Sequence, residues 1–158
     1  MRYQDQLVRQ TQKALDDVCR SALAVSDDKR DWSPGGAARS VLDQMRELAV
    51  AIDWLKPIAL GGEVPSFTDH DRLAMREASA RLATVEDCVE QARVQVAEWC
   101  GIVANFPDER LMDEVVMPFG GGMRMNLADV LGLPAWNMTY HLGQIAFIQL
   151  LLGDRAMH

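Results

Sequence analysis

Cysteines are few in this chain, and basic clusters are absent. The three cysteines, Cys19, Cys88 and Cys100, are odd in number and widely spaced, and no Cys-x-x-Cys pair occurs. This pattern argues against a disulfide framework and against a zinc knuckle, so we expect buried thiols. The net charge of -7, with no run of lysine and arginine interleaved with aromatics, argues against nucleic-acid binding because it repels a phosphate backbone.

Long apolar runs are missing as well. The longest, residues 145–152, is interrupted by Gln149 and is far shorter than the roughly 20 residues that cross a bilayer. The N-terminal segment 1–6 lacks the apolar core of a secretory signal, so we expect a cytoplasmic protein with no membrane partner. The composition, 49% hydrophobic and 25% charged over 158 residues, is typical of one globular domain.

Several common catalytic patterns are also absent. The glycines at 120–122 are not followed by the lysine and hydroxyl residue of a phosphate-binding loop, so they indicate a turn. No Glu-x-x-His pair of a ferritin-like di-iron site occurs. The sequence places no cysteine next to His141, as a thiol nucleophile would require. His70 lies at a predicted helix start, where a capping or solvated role is favoured over a ligand role.

Apolar periodicity predicts four helical segments, of which the first covers about residues 4–25 and the second about 37–58. Proline and glycine at 33–36 and 57–62 separate them from their neighbours. Their apolar stripes are Leu7, Thr11, Ala14, Val18 and Ala22 in the first segment and Val41, Met45, Leu48, Ile52 and Leu55 in the second.

The third helical segment begins at 66–69, where serine, threonine and aspartate can cap a helix, and extends to about residue 105. Some 35 residues would make a helix of roughly 50 Å, which is longer than its neighbours. We therefore expect a bend or an overhanging end in this segment.

Two shorter features precede the fourth helix. The glycines at 120–122 separate two short extended arms, which predicts a small hairpin. A short helix capped by Asn126 is expected to end at Gly132, and Pro134 suits the first turn of the last helix, which ends at Gly153. The chain is therefore predicted to be all-α, a four-helix bundle with a short hairpin-like segment before the last helix.

The last helix carries the most distinctive polar residues of the chain. Asn137 and His141 are four residues apart, so their side chains share one helix face and can reach one ligand. Trp136 beside them can line a pocket. Gln144 next to Gly143 is expected to be structural, at a place where helices approach closely.

Two stretches resemble the DinB/YfiT-like superfamily of small bacterial four-helix bundles. The last helix is similar to that family's His-x-x-x-His-x-Gly-Gln pattern, with Asn137 in place of the first histidine and His141 as the second. The stretch 32–42, a tryptophan, a Pro/Gly loop and a serine, is similar to the start of the family's second helix. The resemblance implies one DinB-like helical bundle domain over residues 1–158. It also implies a homodimer, which the many methionines and leucines favour too.

Members of this family typically bind a divalent metal through three histidines, one on the second helix and two on the fourth, and several are thiol-dependent transferases or isomerases. The corresponding positions here are Asn137 and His141 on the last helix and Glu47 on the second, or Gln44 if the register shifts by one turn. The resemblance therefore implies a degenerate metal site made of Glu47 or Gln44 with Asn137 and His141.

Two functions follow from this set and remain open. In the favoured one, these residues form a metal-free polar network, and the bundle is a non-catalytic or weakly metal-binding module for a small-molecule ligand or for dimerisation. In the other, an ion on His141 and Glu47 activates a water or thiol, which would make a divalent-metal-dependent hydrolase or thiol-dependent S-transferase. The cofactor is thus none or a weakly bound divalent metal, with a low-molecular-weight thiol in the second case.

Overall fold

Six α-helices and one two-stranded hairpin form the fold in the computed structural model, which describes residues 1–158. In chain order the elements are α1 (Tyr3–Ala24), α2 (Val41–Leu48), α3 (Ala51–Ala59), α4 (Asp69–Ala80), α5 (Val85–Ala104), β1 (Glu114–Val116), β2 (Arg124–Asn126) and α6 (Leu127–Leu151). Helices α1, α5 and α6 and the α2–α3 pair pack together as the four members of a bundle, while α4 packs on α2. The predicted all-α four-helix bundle is confirmed.

The second predicted segment is two helices rather than one. The Val50 N–H bonds to the Glu47 carbonyl and the Asp53 N–H bonds to the Val50 carbonyl, each three residues back, so one tightened turn separates α2 from α3. Every residue of the apolar stripes predicted for the first two segments is nevertheless buried. One tightened turn rotates the helix too little to remove the stripe from the core, which is why periodicity did not reveal the break.

The third predicted segment is also two helices, and the expectation of one long helix is wrong. Helix α4 begins after Thr68, and α5 begins after Thr84, whose hydroxyl accepts from the Asp87 N–H at 3.1 Å. The Asp87 carboxylate in turn accepts from the Thr84 N–H at 3.0 Å. This reciprocal capping box starts a new helix at a place where the apolar periodicity alone suggested continuation.

The last two predicted helices are one, and Gly132 and Pro134 lie inside α6. Asn126 caps it as expected, with its side chain accepting from the Asp129 N–H at 2.8 Å. Pro134 has no backbone N–H, so the helix loses one backbone hydrogen bond there. Pro134 is buried in the core. Gly153 ends the helix with a φ of 89°, as predicted.

The small hairpin before α6 is confirmed. Strands β1 and β2 are antiparallel, with Val115 opposite Met125. All three glycines at 120–122 have φ between 60° and 87°, a region that side-chain-bearing residues avoid, so the turn depends on glycine. None of the helices combines the length and the apolar composition that a membrane crossing needs.

Candidate functional site

His141 lies in a closed ring of hydrogen bonds between α2 and α6, formed by Arg39, Gln44, Glu47 and His141 and called the polar ring below. His141 Nε2 lies 3.2 Å from Glu47 Oε1, and His141 Nδ1 lies 3.2 Å from Gln44 Oε1. Arg39 Nη1 donates to Glu47 Oε2, and Gln44 Nε2 donates to the backbone carbonyl of Arg39 at 3.3 Å. The ring therefore begins and ends on Arg39.

The start of α2 positions three members of the polar ring. Ser40 caps this helix by accepting from the Asp43 N–H at 3.1 Å, which places Arg39 just before the first turn. Gln44 and Glu47 are three residues apart and so share the face that meets α6. His141 and Gln44 are each buried, whereas the side chains of Arg39 and Glu47 are each 37% exposed. The ring thus runs from the core to the surface.

The hydrogen bonds show which atom faces each ring nitrogen of His141. The amide nitrogen of Gln44 bonds to the Arg39 carbonyl, so the amide oxygen faces His141 Nδ1. The other ring nitrogen faces a carboxylate oxygen of Glu47. Both ring nitrogens of His141 are therefore engaged by oxygen atoms of α2 side chains.

The same contacts determine the acidity of Glu47. Burial alone would raise the pKa of this carboxyl group, but hydrogen bonds from His141 and Arg39, together with their charges, outweigh it and lower the pKa from 4.5 to about 2. The group is therefore ionised at neutral pH and is a weak base. Its carboxylate pairs with Arg39 and His141 and is poorly suited to accept a proton from a substrate.

The polar ring does not fit the divalent metal that the family resemblance implies. A catalytic metal site usually has three protein ligands, and a histidine ligand must offer an unprotonated nitrogen. Here both nitrogens of His141 face acceptors, and both oxygens of Glu47 accept from Arg39 and His141. Nowhere in the chain do three histidine, cysteine, aspartate or glutamate side chains come together as a ligand set.

The remaining candidate residues make no hydrogen bond to the polar ring. The Asn137 side chain makes no hydrogen bond and lines a large cavity that two members of the ring also line. Gln144 lines a separate, smaller cavity, as do two members of the ring. His70 is exposed at the start of α4. Gln44 and Glu47, the two alternatives for the second-helix position, both contact His141, but on different nitrogens.

The large cavity, called the main cavity below, has a volume of about 850 Å³. It lies between α2, α3, α4 and α6, and most of its lining is hydrophobic. Trp54, Phe67 and Phe119 form an aromatic cluster on one side, with ring centroids 5.4 to 6.1 Å apart. The Trp54 indole N–H donates to the Ser66 carbonyl at 2.8 Å, which fixes the loop that carries Phe67. Trp136 lines the cavity as well, as predicted from its position beside Asn137.

Four arginines that were not predicted as site residues from the sequence line the main cavity. They are Arg39, Arg46, Arg72 and Arg76. Arg72 and Arg76 are four residues apart, so the helical spacing of α4 could have indicated that they share a face. No such signal existed for Arg39, because its partner Glu47 is eight residues away across a helix cap.

The cysteines belong neither to the polar ring nor to the lining of the main cavity. All three are buried free thiols, as expected. Burial raises the pKa of Cys19 and of Cys88 to about 11, and it also raises the pKa of Cys100. These thiols therefore stay protonated and are poor nucleophiles.

Several solved structures share this fold. YfiT from Bacillus subtilis, described as a probable metal-dependent hydrolase with an unusual four-helix bundle topology, is 16% identical with a TM-score of 0.77, over 96% of this chain and 88% of its own. ClbS, a colibactin self-resistance protein solved with double-stranded DNA, is 11% identical with a TM-score of 0.70, over 92% of this chain and 94% of its own. The mycothiol-dependent maleylpyruvate isomerase is 13% identical with a TM-score of 0.68, over 90% of this chain and 60% of its own.

At these identities the likeness to solved structures shows the fold alone. No protein of curated function matches the sequence. A sequence profile of the DinB superfamily, however, matches residues 6–145, which is most of the chain. The chain therefore belongs to the DinB superfamily.

Proposed function

We propose that this chain is a metal-independent binding protein of the DinB superfamily, in which the polar ring has a structural role and the main cavity holds a small organic molecule. The observation that carries the proposal is the pair of 3.2 Å contacts that engage both nitrogens of His141. A buried imidazole whose two nitrogens both contact oxygen atoms within the protein stabilises the α2–α6 contact, and neither nitrogen is free for an ion.

The cavity lining supports binding rather than catalysis. Glu47 is the carboxylate nearest to His141, and its pKa of about 2 makes it a poor general base. No cysteine lines the main cavity. The alternative, a metal-dependent hydrolase or a thiol-dependent S-transferase, needs an ion that lowers the pKa of a water or thiol. YfiT and the maleylpyruvate isomerase motivate that alternative. A low-molecular-weight thiol bound to this protein would have no metal ion to lower its pKa.

Elemental analysis of the protein purified without a histidine tag tests the proposal. We expect well under one divalent ion per chain, and no saturable uptake when zinc, nickel or manganese is added at micromolar concentration. About one tightly held ion per chain, lost in the His141→Ala variant, would overturn the proposal and favour the enzyme. The His70→Ala variant is the matched control, because His70 is exposed and distant from the polar ring.

Nucleic acid is not part of the proposed function. ClbS was solved with double-stranded DNA, so the exclusion drawn from the net charge stays a prediction. Its support is the net charge of -7, which disfavours approach to a phosphate backbone. Retention of a labelled duplex by the protein at moderate salt would contradict it.

The proposal includes a homodimer formed through α6. Five exposed positions of this helix, most of them large and apolar, follow one another at spacings of four, three, four and three residues, and we call them the α6 stripe. They are Trp136, Tyr140, Gly143, Phe147 and Leu150. This spacing is the one by which two helices pack side by side.

A further inference from the structure

We infer that the ligand of the main cavity is an organic anion with an apolar or aromatic body, whose charged end is held by Arg72 and Arg76 of α4. The inference rests on the proposed function and adds the chemical class of the ligand. It depends on which charges of the cavity are already neutralised within the protein and which are free.

The charge of the main cavity has the opposite sign to that of the whole chain. Four arginines line it, and its only acidic residues are Asp43 and Glu47, so the formal charge of the lining is two positive. The chain as a whole carries a net charge of -7. A local positive potential in a negative protein raises the concentration of anions at this position.

The two arginines of the α2 side are neutralised. Arg39 is paired with Glu47 in the polar ring. Arg46 contacts Asp43 at 3.3 Å and donates to the Leu82 carbonyl at 2.9 Å. These guanidinium groups already have acceptors within the protein, so they contribute little free charge to a ligand.

The two arginines of α4 have fewer partners within the protein. Arg76 lines the cavity and has neither a hydrogen bond nor an ion pair through its side chain. Arg72 pairs only with Asp69, whose side chain is 98% exposed, and such a surface pair is weak because water screens it. One helical turn separates the two arginines, so both guanidinium groups can reach one carboxylate, sulfonate or phosphate group.

The aromatic cluster lies next to these free charges. The Arg72 guanidinium carbon is 5.0 Å from the centre of the Phe67 ring, and Phe67 is in contact with Trp54 and Phe119. A ligand that places its anion on α4 therefore has its body against the aromatic side chains. A neutral ligand of the same shape would make no charge-assisted hydrogen bonds to the guanidinium groups, so we expect it to bind less tightly.

A pair of fluorescent probes with one shared aromatic skeleton tests the inference on the intact protein. Anilinonaphthalene sulfonate is anionic, and N-phenylnaphthylamine lacks the sulfonate and is neutral. We expect the anionic probe to bind more tightly, and we expect the double variant Arg72→Gln, Arg76→Gln to weaken its binding about tenfold while the neutral probe is unaffected. Added salt should weaken only the anionic probe.

Two control variants show where the probes bind and what causes the change. Arg81→Gln removes an exposed arginine at the end of the same helix that does not line the cavity, and it should leave both affinities unchanged. Ala80→Phe adds a bulky side chain at an exposed position of the cavity lining and should weaken both probes, whereas Ala78→Phe, at an exposed position of the same helix outside the lining, should weaken neither. Circular dichroism of each variant must match the wild type.

The outcomes separate the two proposals. Equal affinity for both probes, unchanged by the double arginine variant but lost in Ala80→Phe, would refute the anionic ligand and leave a small-molecule cavity. Failure of both probes to bind, or binding that Ala80→Phe does not alter, would refute the main cavity as the binding site and with it the proposed function.

Discussion

At the scale of single residues, His141 links α6 to α2 by contacts with two side-chain oxygens that have few other partners. Its ring is 1% exposed, and its nitrogens satisfy one oxygen of Gln44 and one of Glu47. Without the imidazole, the Gln44 oxygen would be buried with no donor, and Glu47 would keep only Arg39. Unsatisfied buried polar groups cost more than their hydrogen bonds contribute.

We therefore expect His141→Ala to lower the free energy of unfolding by about 3 kcal/mol. The measurement is reversible urea unfolding followed by circular dichroism. His70→Ala, at an exposed position on α4, should change it by less than about 0.5 kcal/mol. A His141→Ala protein as stable as the wild type would mean that the polar ring does not stabilise the bundle.

The polar ring also predicts how stability depends on pH. The pKa of Glu47 is lower in the folded protein, at about 2, than its ordinary value of 4.5. Protonation therefore favours the unfolded chain, so the stabilisation from this carboxylate is complete above about pH 4.5 and is lost as the pH falls towards 2.

Comparison with Glu47→Gln isolates this dependence from the other carboxylates. The difference in unfolding free energy between the wild type and Glu47→Gln should be largest at neutral pH and should shrink as the pH falls below about 4.5. Glu109→Gln, which removes an exposed carboxylate without a hydrogen-bond partner, controls for the loss of one negative charge. A wild-type to Glu47→Gln difference that is constant between neutral and acidic pH would contradict the prediction.

Residue spacing could predict part of the site. Asn137 and His141 were identified because four residues make one turn, and Gln44 and Glu47 were both candidates because they lie one turn apart on α2. Spacing could not predict that both would contact His141, nor that Asn137 would stay in the main cavity. Those outcomes depend on the crossing of α2 and α6, which is a property of tertiary packing.

At the scale of elements, capping determines where the long predicted segments divide. Thr84 and Asp87 satisfy each other's backbone N–H groups at the start of α5. The pattern of a threonine followed three residues later by an acidic residue is present in the sequence, so this boundary could have been predicted. The break between α2 and α3 has no such pattern, because Ala49 and Val50 offer no capping side chain.

Removal of the Thr84 cap should therefore destabilise the protein measurably. We expect Thr84→Ala to lower the free energy of unfolding by about 1 kcal/mol, because the N–H of Asp87 loses its acceptor. Thr84→Ser keeps the hydroxyl and should stay close to the wild type in the same urea titration. Equal midpoints for Thr84→Ala and Thr84→Ser would show that α5 does not depend on the cap.

Glycine and proline were less reliable guides to element boundaries than caps. At Gly153 and in the 120–122 turn, the glycines have positive φ and end or reverse the chain as predicted. Gly132 does not have positive φ, and it lies inside α6 together with Pro134. Core burial on both sides of Pro134 compensates for one missing backbone hydrogen bond. Rules that treat proline and glycine as helix breakers consider the local sequence alone and do not include this burial.

At the scale of the whole molecule, α6 is apolar on two faces. One face supplies buried residues such as Met138 and Ile145 to the core. The other is the α6 stripe, where Trp136 is 63% exposed and Phe147 is 58% exposed. The smaller cavity, lined by Tyr140, Gly143 and Phe147, lies beside this stripe. A second copy packed on α6 would cover both the stripe and this cavity.

We therefore expect the protein to be a dimer in solution, held by two α6 stripes packed against each other around a twofold axis. Light scattering at micromolar concentration should give roughly twice the chain mass of 17.6 kDa. Phe147→Glu should shift the mass towards that of one chain, because it adds a carboxylate from each chain to the apolar contact. Val94→Glu, which adds the same charge at a half-exposed valine of α5, should leave the dimer intact. A wild-type protein that scatters as one chain would refute the dimer, and the α6 stripe would then need another partner.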